Sequence, residues 1–91
     1  MMMWAWGGAS GQPLTLSEVP EGQVVRVVGM RAGLGLTSRL TAMGVVPGAE
    51  VLMVSNRGAG PVVVEVRGTR LALGRGMARK ILVQSPEHLG Q

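Results

Sequence analysis

Few side chains in this sequence could do chemistry, and their spacing keeps them apart. His88 is the sole histidine and has only Glu87 beside it, whereas a structural or catalytic metal site takes three or four protein ligands. There is no cysteine, so neither a thiolate metal site nor a disulfide framework is available. The thioethers of Met1, Met2 and Met3 are soft ligands, but a methionine run at the start of the chain reads as an ambiguity of start codon. Ser17, Ser38, Ser55 and Ser85 could be nucleophiles only beside a base, and the one imidazole lies in the C-terminal tail. The five acidic residues are scattered glutamates, with no apolar pocket to raise a carboxyl pKa. Gly29 to Gly35 is glycine-rich but lacks both the Gly-Lys-Ser/Thr ending of a phosphate loop and the G-x-G-x-x-G fingerprint. The expectation is a protein with no catalytic residues, no cofactor and no metal site.

Charge is the remaining resource. Nine Lys plus Arg against five Asp plus Glu give a formal charge of +4, which favours an acidic protein surface, nucleic acid or anionic lipid as partner. Arg67, Arg70, Arg75, Arg79 and Lys80 concentrate in the last third, where a hairpin can gather several on one surface for phosphate contacts. Against nucleic acid stands the absence of Phe and Tyr, since single strands are usually held by bases stacking on aromatic rings. No nucleic acid is expected, and a solvated basic face is the default.

The elements that position these residues follow from periodicity. Leu36, Leu40 and Met43 fall on one face of a helix about nine residues long. Gly44 ends it in the left-handed conformation, and Pro47-Gly48 turns the chain into the next strand. Residues 1–12, with Trp4 and Trp6, read as a disordered N-terminal tail. Ser17 is placed to cap a single helical turn, and Pro20 with Gly22 turns into Gln23 to Met30, a strand with Val25 and Val27 inward. Ala49 to Ser55 is a second strand with Val51 and Met53 inward, and Asn56 to Pro61 a loop. Val62 to Arg67 alternates as a half-buried strand, and Gly68 joins it in a hairpin to Leu71 and Leu73. Gly74 to Ala78 is expected as a turn or 3₁₀ segment, followed by a last strand with Ile81 and Val83 inward. Residues 85–91 form a polar tail. The domain, residues 13–84, is thus expected to be all-β, with about five short strands and one helix between the first two main strands, closing into a small, strongly bent barrel. Its core must be aliphatic. The first residues lack the basic leader and apolar core of a signal peptide, and no run approaches the roughly 18 apolar residues of a membrane span.

Three stretches, LSEVPEGQVVRVVGM, SRLTAMGVVPGAEV and VVVEVRGTRLALGRGMARKILV, resemble the ferrous iron transport protein A family, FeoA, between Leu16 and Val83. The most specific parts are Arg39-Leu40 followed by Met43-Gly44 and Pro47-Gly48, and the series Gly68, Leu71, Leu73, Ala78, Ile81, Val83. The resemblance implies an SH3-like barrel in the cytoplasm, at the inner face of the cell membrane, acting as a non-enzymatic accessory factor of the ferrous iron transporter FeoB. The same barrel resembles the C-terminal domain of iron-dependent repressors, but a copy without a helix-turn-helix domain argues for the transport factor. Peptide-binding SH3 domains use an aromatic-lined groove, and no aromatic residue follows Trp6, so proline-motif capture is disfavoured. With the inner side of the helix spent on closing the barrel, Arg31, Leu34, Arg39 and Thr41 are the expected partner-binding residues. The basic set from Arg67 to Lys80 is a secondary surface. The alternatives are an RNA-binding small barrel and an iron-responsive metal-binding regulator. A monomer or weak homo-oligomer is expected.

Overall fold

The computed structural model describes residues 14–85. The expectations for Met1 to Met3, Trp4, Trp6 and His88 lie outside the described residues. Six strands form one antiparallel sheet: β1 (Leu14–Thr15), β2 (Val24–Met30), β3 (Glu50–Ser55), β4 (Val62–Val66), β5 (Thr69–Leu73) and β6 (Ile81–Gln84), in the order β1-β6-β2-β3-β4-β5. A 3₁₀ turn (Leu16–Glu18) follows β1, the helix α1 (Leu34–Ala42) links β2 to β3, and one helical turn, α2 (Arg75–Ala78), links β5 to β6. This is the small all-β barrel that the alternating valines predict, of the SH3-like kind that the family resemblance implies.

The strand β2 makes the barrel possible by serving two neighbours. Val24 to Arg26 pair with β3, and Arg26 to Met30 pair with β6 through a register shift between Val27 and Gly29. Such a bulge bends a strand and increases its twist, so a single sheet curls around one core. Every second residue of the main strands points into it: Val25 and Val27, Val51 and Met53, Val62, Val64 and Val66, Ile81 and Val83 are all buried. Leu73 is buried too, while its hairpin companion Leu71 is only half-buried and packs at the margin. The 3₁₀ turn and α1 add Leu16 and Leu40 to the same cluster. Full burial of one such leucine contributes about 1.5–3 kcal/mol, which is how a helix too short to stand alone is held.

Four local expectations are corrected. The residues before the 3₁₀ turn form the short strand β1, with Leu14 opposite Val83. Thr15, not Ser17, is the N-cap of that turn, and Glu18 reaches back to accept its N–H at 3.2 Å. Arg75–Ala78 closes as an α-helical turn, with Ala78 N–H donating to Gly74 O at 2.9 Å. Met43 does not sit on the inner side of α1. It is the C-cap residue and remains 36% exposed, because Gly44, at φ +89°, turns the chain away one residue later.

Candidate functional site

The end of α1 and the tip of the β4–β5 hairpin face each other across a groove. Met43 N–H and Val45 N–H both donate to Leu40 O, at 3.0 and 2.9 Å, and Gly44 N–H donates to Thr41 O at 3.0 Å. These bonds satisfy the last carbonyls of the helix. They also bring Gly44 against the hairpin, since a Cβ at Gly44 would lie 3.6 Å from Val66 Cγ1. The groove is lined by Thr41, Ala42, Met43 and Gly44 on one side and Val66, Arg67, Thr69 and Leu71 on the other, and encloses about 420 Å³. Its lining is therefore apolar along Met43, Val66 and Leu71, with hydroxyls and one guanidinium for polar contacts.

Arg67 is the unusual member. The hairpin connects Val66 to Thr69 through Arg67 at φ +54° and Gly68 at φ +80°. Positive φ at both central residues is the signature of a type I′ turn, whose twist matches the strands. Arginine occupies the left-handed region at a steric cost that glycine or asparagine largely avoids, and no other described non-glycine residue does so. Arg67 ion-pairs with none of the described residues. It also borders a second, smaller groove of about 360 Å³ on the outer side of β2, β3 and β4, with Val24, Glu50, Leu52 and Glu65. The two carboxylates there are already engaged, Glu50 by Arg26 at 2.9 Å and Glu65 by Arg70 at 3.5 Å.

The structure regroups the residues predicted from sequence. Arg31, Leu34, Arg39 and Thr41 are all exposed, but only Thr41 lines the groove. Arg31 and Leu34 lie at the opposite end of α1, where Arg31 N–H donates to Lys80 O at 2.7 Å. Arg39 lies in the last turn of α1 but does not line the groove, and has no ion-pair partner among the described residues. The basic set divides as well. Arg67 and Arg70 belong to the hairpin, whereas Arg75, Arg79 and Lys80 surround α2, beyond the far end of β5. Arg75 is committed to the fold, since its guanidinium donates to Gly60 O at 3.0 Å and to Asn56 Oδ1 at 2.9 Å. No local sequence pattern marks Met43, Val66, Thr69 and Leu71 as groove residues. The signal available for them was the pairing of Gly44 with Gly68, two stops that bring a helix end and a hairpin tip to the same rim.

A second polar centre, around Asn56, holds the fold together. Asn56 Nδ2 donates to Ser17 O at 3.0 Å and Val19 O at 2.8 Å, and its backbone N–H donates to Glu21 Oε2 at 2.8 Å. Arg57 pairs with the same carboxylate at 3.0 Å. The Asn56 N–H and then the Arg57 guanidinium hold the Glu21 carboxyl below its ordinary value of 4.5. Among the described residues, no three His, Cys, Asp or Glu side chains converge where a metal ion could be held, and no helix is long and apolar enough to cross a membrane.

Fold and groove together define a small SH3-like barrel module with a solvent-open groove between helix end and hairpin tip. The FeoA domain model matches residues 14–85. The chain belongs to the FeoA family, whose members are proteins of Fe(2+) transport. A Methanocaldococcus jannaschii protein described as a candidate Fe(2+) transport protein A is 37% identical over 76 residues, covering 84% of this chain and 92% of that one. The crystal structure of an iron uptake regulatory protein, FeoA, superposes with a TM-score of 0.76 at 32% identity, covering 79% of this chain and 96% of that one. A manganese-dependent transcriptional repressor shares the fold, with a TM-score of 0.73 at 22% identity over 86% of this chain and 47% of its own.

Proposed function

We propose that this protein is a non-enzymatic accessory factor of ferrous iron uptake that docks, on the cytoplasmic side of the membrane, onto the transporter FeoB through the groove between α1 and the β4–β5 hairpin. The observation that carries the reading is Arg67, held at positive φ on the groove rim with no ion-pair partner among the described residues. A strained residue that the surrounding fold keeps in place costs about 1–3 kcal/mol and marks a site where conformation serves function. The guanidinium suits a carboxylate of the partner, to which it can bond in bidentate fashion, while Met43, Val66 and Leu71 suit an apolar side chain next to that acid. The complementary element is thus a short segment of the transporter that pairs an acidic residue with an aliphatic one.

The test is a pull-down of the purified cytoplasmic portion of the transporter by the full chain and by Arg67→Asn. Asparagine accepts the left-handed conformation, so the hairpin is kept while the cation is removed. The wild type is expected to capture the transporter and the variant to lose most of that capture. Failure of the wild type to bind sinks the docking reading. Normal capture by a folded variant removes Arg67 and the groove from the interface.

A further inference from the structure

The end of α1 remote from the groove carries a surface of a different kind. Met30 of β2 pairs with Ile81 of β6, and just beyond that pair Arg31 N–H donates to Lys80 O. The backbone therefore places Arg31, Lys80 and the adjoining Arg79 side by side, and Leu34 follows Arg31 by three residues at the start of α1. Arg31, Arg79 and Lys80 are exposed, and Leu34 is 86% exposed, far above Val24 and Met43, the other exposed large apolar residues among those described. None of the three cations forms an ion pair among the described residues, because Glu21, Glu50 and Glu65 are paired elsewhere and Glu18 is turned back onto Thr15. Residues 14 and 84 lie toward the other end of the β6 ladder, near Val83 and Arg26, so the described chain enters and leaves away from this surface.

An exposed leucine at the start of α1, three residues from Arg31, and three cations without an ion-pair partner among the described residues are together complementary to one surface in particular. We infer that this end of the barrel binds the surface of a membrane rich in anionic phospholipid, with Leu34 entering the headgroup boundary and Arg31, Arg79 and Lys80 meeting lipid phosphates. Basic side chains near an anionic leaflet are attracted within a Debye length, and apolar area buried at the headgroup boundary adds to that attraction. A folded acidic protein is the poorer fit, because a protruding leucine needs a matching pocket in a rigid partner and none in a fluid interface. Neither the groove between α1 and the β4–β5 hairpin nor the one outside β2, β3 and β4 includes Arg31, Leu34, Arg79 or Lys80. This inference is independent of transporter docking, since the groove lies at the other end of α1. One molecule can use both surfaces.

The experiment is cosedimentation of the full chain with transporter-free vesicles of phosphatidylcholine alone, and of phosphatidylcholine with phosphatidylglycerol. The chain is expected to sediment with the anionic vesicles only, and to be released by raised salt. Each basic residue at an anionic surface is worth roughly a fivefold change in partition, so Arg31→Ser with Lys80→Ser should lower binding by at least about tenfold. Leu34→Ser should lower it further, whereas Arg67→Asn, which removes an equally free cation from the other end of the helix, should change it little. Absence of binding to anionic vesicles overturns the inference. So does an equal loss with Arg67→Asn, which reports net charge alone, or binding to an oligonucleotide in place of vesicles, which assigns the cations to nucleic acid. None of these results bears on capture of the transporter in the absence of lipid.

Discussion

Replacing Asn56 by alanine removes a side chain that ties three separate segments together, and its cost can be worked bond by bond. The amide donates to Ser17 O and Val19 O and accepts from Arg75. At about 1 kcal/mol net per hydrogen bond the sum is ~3 kcal/mol, and access of water to the half-buried carbonyls left behind reduces it to about 2 kcal/mol. A folded unit of this size has a total stability on the order of 4–11 kcal/mol, so the loss is a large fraction of the whole. It corresponds to a fall in Tm of about 8–16 °C. Urea unfolding followed by circular dichroism measures it directly, and an unchanged slope with a lower midpoint identifies a stability effect. Combining Asn56→Ala with Arg75→Ala should show a coupling of about 1 kcal/mol, the share of their mutual bond. Capture of the transporter by the folded fraction should be unaffected, because neither residue lines the groove. A loss below about 0.5 kcal/mol, the scale of an ordinary surface substitution, refutes the reasoning that this amide organises the turn, loop and α2.

Three further outcomes follow from the same geometry. Arg67→Asn should raise stability by about 1 kcal/mol, since it relieves the left-handed arginine, while it weakens transporter capture; a lower urea midpoint contradicts the claim of strain. Arg39→Glu should shift stability by no more than about 0.5 kcal/mol, because Arg39 is exposed, yet weaken transporter association several-fold by reversing charge beside the docking face; equilibrium binding by a folded variant decides this, and normal affinity excludes the outer side of α1. The Glu21 carboxyl, titrated by nuclear magnetic resonance, should show its midpoint below 4.5. Because its folded pKa is lower than its unfolded one, its stabilising effect is complete above the ordinary value and is lost as pH falls through the folded value. Glu21→Gln should therefore make the urea midpoint less sensitive to pH in that acid range, and an unaltered sensitivity counts against the Asn56 and Arg57 contacts.

Much of this protein is written locally. The two-residue alternation of valines settles which face of each strand is buried, because one face of a small barrel is all core and the other all solvent. The span of α1 follows from Leu36 and Leu40 together with the glycine that stops it, and the hairpin from Gly68, which accepts the positive φ the turn demands. Family membership is equally legible, since those stops and apolar positions carry the resemblance to the FeoA family that the domain match to residues 14–85 bears out.

Other features depend on segments distant in sequence and no local pattern encodes them. Leu14–Thr15 is too short to read as a strand until β6 offers it a partner. Met43 continues the apolar spacing of α1, yet Gly44 turns the chain before that spacing can carry it inward, and the side chain becomes a groove wall. The helix residues and the basic last third exchange members once folded: Thr41 joins Arg67 at one end of α1, and Arg31 joins Lys80 and the adjoining Arg79 at the other. The sequence by itself determined the strands, the helix, the aliphatic core and the family. Tertiary structure alone decided which cations stand free and beside which apolar side chains, because that depends on where β6 and the hairpin pass relative to the helix, and hence on contacts between residues dozens of positions apart.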